Sequence, residues 1–216
     1  LFEKRTELEK ESDKIIIEEI VEICEQGKPD FGWSKFYQSF EKIGVEGIRP
    51  TLYRIEKYGI EKYLNKSQEV LDIGCNVGFI DMMVAPLVKH VAGVEYDKTL
   101  VSVADHVKKY LDLNNCEFFV GDFCEWQSKN KKIFDVIFSF AIHHWLNISA
   151  EEYAYIVDDL LQENGILCFE SHDIKVGDQK YESCVDMFLE MGYKVLGEGV
   201  ICDDGLTSRK YIMLKK

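Results

Sequence analysis

Between Glu69 and Ile80 the chain reads Glu-Val-Leu-Asp-Ile-Gly-Cys-Asn-Val-Gly-Phe-Ile. A short apolar run that ends in glycines and continues into a helical pattern marks a buried parallel strand turning tightly into a helix. Gly74 and Gly78 let the backbone turn and approach a ligand at distances a Cβ would block. A helix opening near Gly78 presents unpaired amides beside that turn. Such a crevice is suited to a nucleotide-like ligand.

The rest of the chain extends this unit. Strand-like runs at 69–75, 90–96, 116–121, 134–141 and 165–171 alternate with helical patterns at 79–88, 98–111, 150–162 and 178–191. Alternation of this kind builds a mostly parallel sheet with helices on both faces. The end differs: Tyr193–Cys202 and Ser208–Lys215 are strand-like and flank Asp203-Asp204-Gly205, which reads as an antiparallel hairpin. Residues 67–216 therefore form the expected α/β domain. Residues 1–66 read as an N-terminal helical extension. It has a helix over 5–26 with Leu8, Ile16, Ile20, Ile23 and Cys24 on one side, an aromatic segment at 31–40, and a helix from Pro50 through Tyr63.

Composition narrows the partners. A net charge of −13 and a pI near 4.9 weigh against a nucleic-acid backbone. The seven cysteines are scattered, without a Cys-x-x-Cys pair or zinc spacing, so no metal site is expected. Cys75, Cys116 and Cys168 lie in or beside strand-like runs as small apolar residues. Reduced thiols, no run of membrane-spanning length and no signal peptide fit a cytoplasmic protein. The sequence starts at Leu1, which leaves room for a longer parent.

In open α/β sheets ligands sit beyond the carboxyl ends of the strands. Those ends carry Asp72-x-Gly74-x-Asn76-x-Gly78; Glu95, placed to accept ribose hydroxyls; and Gly121-Asp122-Phe123, suited to an adenine amino group and ring. Ile142-His143-His144-Trp145 and Phe169-Glu170-Ser171-His172 follow. Together with Phe134-Asp-Val-Ile137 and Leu160-Leu-Gln-Glu-Asn-Gly-Ile-Leu167, they resemble the class I, Rossmann-like S-adenosylmethionine-dependent methyltransferases over about residues 69–216. The resemblance implies a seven-stranded sheet with one antiparallel strand, S-adenosyl-L-methionine as methyl donor and S-adenosyl-L-homocysteine as product. It places Asp72, Gly74 and Gly78 on the methionine part, Glu95 on the ribose, and Asp122 with Phe123 on the adenine. Cys75, Asn76, Tyr96 and Phe140 complete the expected cofactor contacts. Asn76 stands where the family often has a second glycine, and Asn tolerates left-handed backbone. A nicotinamide dehydrogenase, the rival reading, prefers Gly-x-Gly-x-x-Gly.

Other positions keep two readings. Phe123 serves as adenine platform or as core. Arg49 and Arg54 reach the cofactor carboxylate or pair with Glu46 and Glu56 on the surface. The 31–40 segment packs or forms a lid. His143, His144 and His172 are candidates for the base that an O-nucleophile needs, each also readable as structural. An Asn/Asp-Pro-Pro-Tyr signature is absent after the fourth strand, where Ser139-Phe-Ala-Ile142 stands. The expected acceptor is an O or N nucleophile of a small molecule, sugar or glycan. Nucleic acid is disfavoured, with an RNA-directed enzyme or a partner subunit without turnover as the alternatives.

Overall fold

The computed structural model describes residues 6–29 and 36–216. The chain runs α1 (Glu7–Gly27), β1 (Phe36–Gln38), β2 (Gly47–Arg49), α2 (Thr51–Tyr58), β3 (Glu69–Ile73), α3 (Phe79–Val84), β4 (His90–Glu95) and α4 (Lys98–Tyr110). It continues through β5 (Cys116–Val120), α5 (Phe123–Lys129), β6 (Phe134–Phe140), α6 (Ala150–Leu160), β7 (Leu161–Glu170), α7 (Gln179–Glu190), β8 (Lys194–Ile201) and β9 (Arg209–Lys215). Seven strands form one sheet in the order β5-β4-β3-β6-β7-β9-β8. The first five are parallel, and β9 lies antiparallel to both β7 and β8. The chain steps outward from β3 to β5 and then returns to β6, so the strand order reverses beside β3. That is where the ligand crevice of such a sheet forms.

Apolar strands explain the burial: Val70, Leu71 and Ile73 of β3 and Val136, Ile137 and Phe138 of β6 are all fully enclosed. The N-terminal residues join the same core. Ile16, Ile20 and Cys24 of α1 pack with Phe36, Phe40, Ile55, Val70 and Phe79 in one hydrophobic cluster. Leu8, expected on the apolar side of α1, is exposed instead; the buried stripe is Asp13, Ile16, Ile20 and Cys24. Tyr110 on α4 hydrogen-bonds Asp13, which satisfies that buried carboxylate. Phe40 stacks on Phe79 at 4.7 Å, so this part of the aromatic segment packs; residues 31–35 lie outside the described residues.

Three local readings change. The helix expected from Pro50 to Tyr63 breaks at Gly59, which adopts φ +65° and starts a short 3-10 turn. The helix expected to 162 ends at Leu160, and β7 begins at once. Helix α5, unforeseen, is capped by Asp122, whose side chain accepts from the Glu125 amide at 3.0 Å.

A buried ion cluster fastens the N-terminal segment to the sheet. Arg49, at the end of β2, is fully buried. Its Nη1 and Nη2 donate to the two oxygens of Glu170 at 2.9 and 3.0 Å, and its Nε and Nη2 donate to Asp203 at 2.6 and 2.9 Å. Arg54 lies 4.0 Å from Glu170 and 3.7 Å from Asp203, and Tyr58 also donates to Glu170. The surface pairing of Arg49 and Arg54 with Glu46 and Glu56 is therefore wrong: both guanidiniums point inward to carboxylates distant in sequence. Burial alone raises the Glu170 carboxyl, but Arg49 and Arg54 outweigh it and hold it at about 2. Arg49→Met strands Glu170 and Asp203 without their main partner and is expected to lower stability by about 3–5 kcal/mol in urea denaturation. A loss below about 1 kcal/mol contradicts this role for the cluster.

Candidate active site

A cleft of about 840 Å³ opens at the carboxyl ends of β3, β4, β5 and β6. At one end the glycine loop leaves β3. Gly74 has φ +74°, and a Cβ there would sit 2.7 Å from the Ile142 side chain. Asn76 adopts φ +56°, the left-handed backbone expected of it, and its buried Oδ1 has no hydrogen-bond partner. Gly78 caps α3 at φ +66°, and a Cβ would strike the Phe118 ring. Gly78 and Cys75, expected among the cofactor contacts, do not line the cleft; Cys75 is fully buried.

Gln38 of β1 splints this loop. Its Nε2 donates to the Cys75 carbonyl at 3.3 Å, while its Oε1 accepts from the Phe79 amide at 3.1 Å, one of the orphan donors of α3. Sequence reasoning missed Gln38, which has no local signature.

Glu95 closes the other side of the loop. Its carboxylate accepts from the Asn76 amide at 2.9 Å and the Asp97 amide at 3.0 Å. It still lines the cleft, and burial raises its pKa against the pull of those amides. Tyr96 is an exposed rim residue on the same wall. Asp122 and Phe123 also reach the cleft, although Phe123 is only 4% exposed and packs within the second hydrophobic cluster.

Arg54 and Asp72 both line the cleft and interact electrostatically. The Arg54 guanidinium lies 5.3 Å from the Phe140 ring centroid and 5.8 Å from that of Tyr58. Its Nε reaches Tyr58 Oη at 3.3 Å, but its buried Nη1 has no partner. Glu170 and Asp203 hydrogen-bond Arg49 instead and stay 4.0 and 3.7 Å from Arg54, at ion-pair but not hydrogen-bond distance. Asp72 is nearly enclosed; burial pushes its pKa up to about 7, with Arg54 offsetting only part of that rise.

The histidines separate. His143 is fully buried among Tyr153, Phe169 and Tyr181 and does not line the cleft. Its Nε2 lies 2.9 Å from Asp178, whose carboxylate also accepts the His172 amide at 2.6 Å and the Tyr181 amide at 3.0 Å. His143 thus anchors the loop that carries His172 and lies outside the cleft in which it was expected. His172 lines the cleft. His144 is exposed and stacks on the His172 ring at 4.7 Å, with Trp145 edge-on at 6.1 Å. Burial, His144 and Arg209 lower the His172 pKa, so its imidazole is neutral at pH 7.

A parallel sheet reversing at β3, closed by an antiparallel β9 and bearing this cleft, defines a class I, Rossmann-like S-adenosylmethionine-dependent methyltransferase fold. A family model described as "Methyltransferase domain" matches residues 64–204, and the chain belongs to that family. It is 40% identical over 73 residues to an "Uncharacterized RNA methyltransferase" of Clostridium tetani, covering 34% of this chain and 16% of that protein. It is 33% identical over 81 residues to the 23S rRNA (uracil(1939)-C(5))-methyltransferase RlmD of Vesicomyosocius okutanii, covering 33% and 18%. The chain thus spans under a quarter of the length of these curated relatives. Among solved structures, a putative SAM-dependent methyltransferase from Streptococcus mutans superposes with a TM-score of 0.64 at 12% identity, covering 80% of this chain and 51% of that one. The bifunctional kinase-methyltransferase WbdD gives 0.63 at 20% identity, covering 83% and 43%.

Gln38→Ala leaves the Cys75 carbonyl and the Phe79 amide unpaired. It is expected to cost about 1–3 kcal/mol of stability and to speed exchange of the Phe79 amide hydrogen. Unchanged exchange at Phe79 contradicts the splint.

Proposed function

We propose that the chain binds S-adenosylmethionine along this cleft and transfers its methyl group to an oxygen or nitrogen of a small-molecule, sugar or glycan acceptor. The observation that carries the reading is the order of polar groups along the cleft. Arg54 and Asp72, at the end of β3, form an opposite-charge pair suited to an α-amino acid; Glu95 follows at the end of the neighbouring β4, then Asp122 with Phe123 after β5. The unpaired Nη1 of Arg54 and the unpaired Oδ1 of Asn76 fit such a ligand, as does the close backbone at Gly74. Arg54 takes the carboxylate, Asp72 the ammonium, Glu95 the ribose hydroxyls, and Asp122 the adenine amino group. The free oxygen of Asp122 serves here, because the other caps α5.

S-adenosylmethionine supplies a methyl already activated by its sulfonium. The residues around it therefore chiefly align the acceptor and exclude water, which is worth roughly 7–11 kcal/mol in well-oriented systems. The acceptor side is walled by Phe140, Ala141, Ile142, Trp145 and His172. A neutral His172 removes the proton of a hydroxyl acceptor. His144 buttresses its ring, and His143 acts only through Asp178. An RNA acceptor is the second reading, favoured by the names of the curated relatives and opposed by the net charge of −13.

Calorimetric titration with S-adenosylmethionine tests the first step: binding is expected, and Glu95→Ala should weaken it at least about tenfold. No binding at millimolar ligand rejects the proposal. His172→Gln should lower kcat by about 10²–10⁴ while sparing cofactor affinity. Wild-type rate should fall as pH drops below the His172 pKa, because the protonated ring accepts no proton. A rate indifferent to the substitution excludes His172 as the base. Methylation of RNA in preference to a panel of hydroxylated small molecules and glycans overturns the acceptor assignment.

A further inference from the structure

Asp81, the third residue of α3, is used by none of the above. It is fully buried, and neither of its carboxyl oxygens has a hydrogen-bond partner in the geometry as it stands. It lies beside Asp72, itself 2% exposed. An ionised carboxylate without donors, enclosed and next to a second carboxylate, is among the least favourable arrangements in a protein. Two adjacent carboxyls sharing one proton resolve the conflict. Only Asp72 lines the cleft, so the charge belongs there and the proton on Asp81.

We infer that Asp81 is a neutral carboxylic acid that donates a hydrogen bond to Asp72 and so positions it for the ammonium group of the cofactor. The inference rests on the S-adenosylmethionine reading for its function, but not for its chemistry. The charged and titratable groups facing the pair are few. Burial and Glu95 from β4 oppose ionisation of Asp72, while Arg54 from α2 and a hydrogen bond from Asp81 favour it. The Cys75 and Cys116 thiols adjoin Asp81, and Cys168 adjoins Asp72; burial raises all three, so they stay neutral. No cation among the described residues faces Asp81 directly, which is why the proton settles there. Burial, reinforced by Asp72, raises the Asp81 carboxyl well above the ordinary carboxylate range. Asp81 touches no reacting atom and acts only through Asp72.

Carboxyl-carbon NMR of the cofactor-free protein tests the protonation directly. One aspartate resonance at pH 7.5 should carry the shift of a protonated acid and vanish in Asp81→Asn, with the amide spectrum confirming that the variant is folded. Aspartates that are all ionised at that pH overturn the inference. Titration with S-adenosylhomocysteine between pH 5.5 and 8.5 tests the positioning. Affinity should fall toward low pH as Asp72 takes up a proton. Asp81→Ala should weaken binding about tenfold, and Asp81→Asn, which keeps a neutral donor, should restore most of it without moving the acid limb. If Asp81 were ionised, Asp81→Asn would remove a repelling charge and shift that limb down by a unit or more, which refutes the assignment. Absence of S-adenosylhomocysteine binding by every form rejects the functional reading alone, since the NMR arm still decides the state of Asp81.

Discussion

Arg49 grips two carboxylates at once, Glu170 at the end of β7 and Asp203 in the loop between β8 and β9, and all three side chains are sealed from solvent. The Arg54 side of the cleft is fastened by that clamp. It ties β2, and with it α2 and the Arg54 side chain, to the carboxyl edge of the sheet. By occupying Glu170 and Asp203, it also leaves Arg54 as a cation without a carboxylate in hydrogen-bond range. Removing one partner from such a cluster costs far more than the pair contributes over apolar replacements. Its presence next to a cleft is therefore better explained by specificity of assembly and charge placement than by stability alone.

The clamp and the Gln38 splint assign a job to the N-terminal segment. It shares the hydrophobic core, holds the glycine loop through Gln38, and supplies Arg54 to the floor of the cleft. The same logic of long-range fastening recurs at Asp178. One carboxylate there collects a buried imidazole and two backbone amides, and thereby sets the position of His172. Burial would raise the Asp178 carboxyl, but the His143 contact and the two amides hold it below the ordinary range.

What could be read in advance divides along the range of the interactions. The parallel sheet, the antiparallel close and the strand-end residues follow from patterns only a few residues long, and the structure places Asp72, Gly74, Asn76, Glu95, Tyr96, Asp122, Phe123 and Phe140 around one cleft. Asn76 takes the left-handed backbone that its residue type permits. Helix α5 also carries a local sign, an Asp122-x-x-Glu125 start. By contrast, Arg49 meets partners 121 and 154 positions away, and Gln38 reaches residues 37 and 41 positions on. Nothing in their neighbourhoods announces this. His143 and His172 look alike as strand-end histidines; only burial and the rings around each separate an anchor from a cleft-facing imidazole.

The central claim is that the clamp leaves the Arg54 Nη1 without a hydrogen-bond partner, available to an amino-acid carboxylate. A structure determined with S-adenosylhomocysteine bound tests it most directly. The account predicts the homocysteine carboxylate on Arg54 Nη1, the ammonium on Asp72 and the ribose hydroxyls on Glu95. A ligand bound elsewhere, or bound in this cleft with Arg54 Nη1 still without a partner, contradicts it.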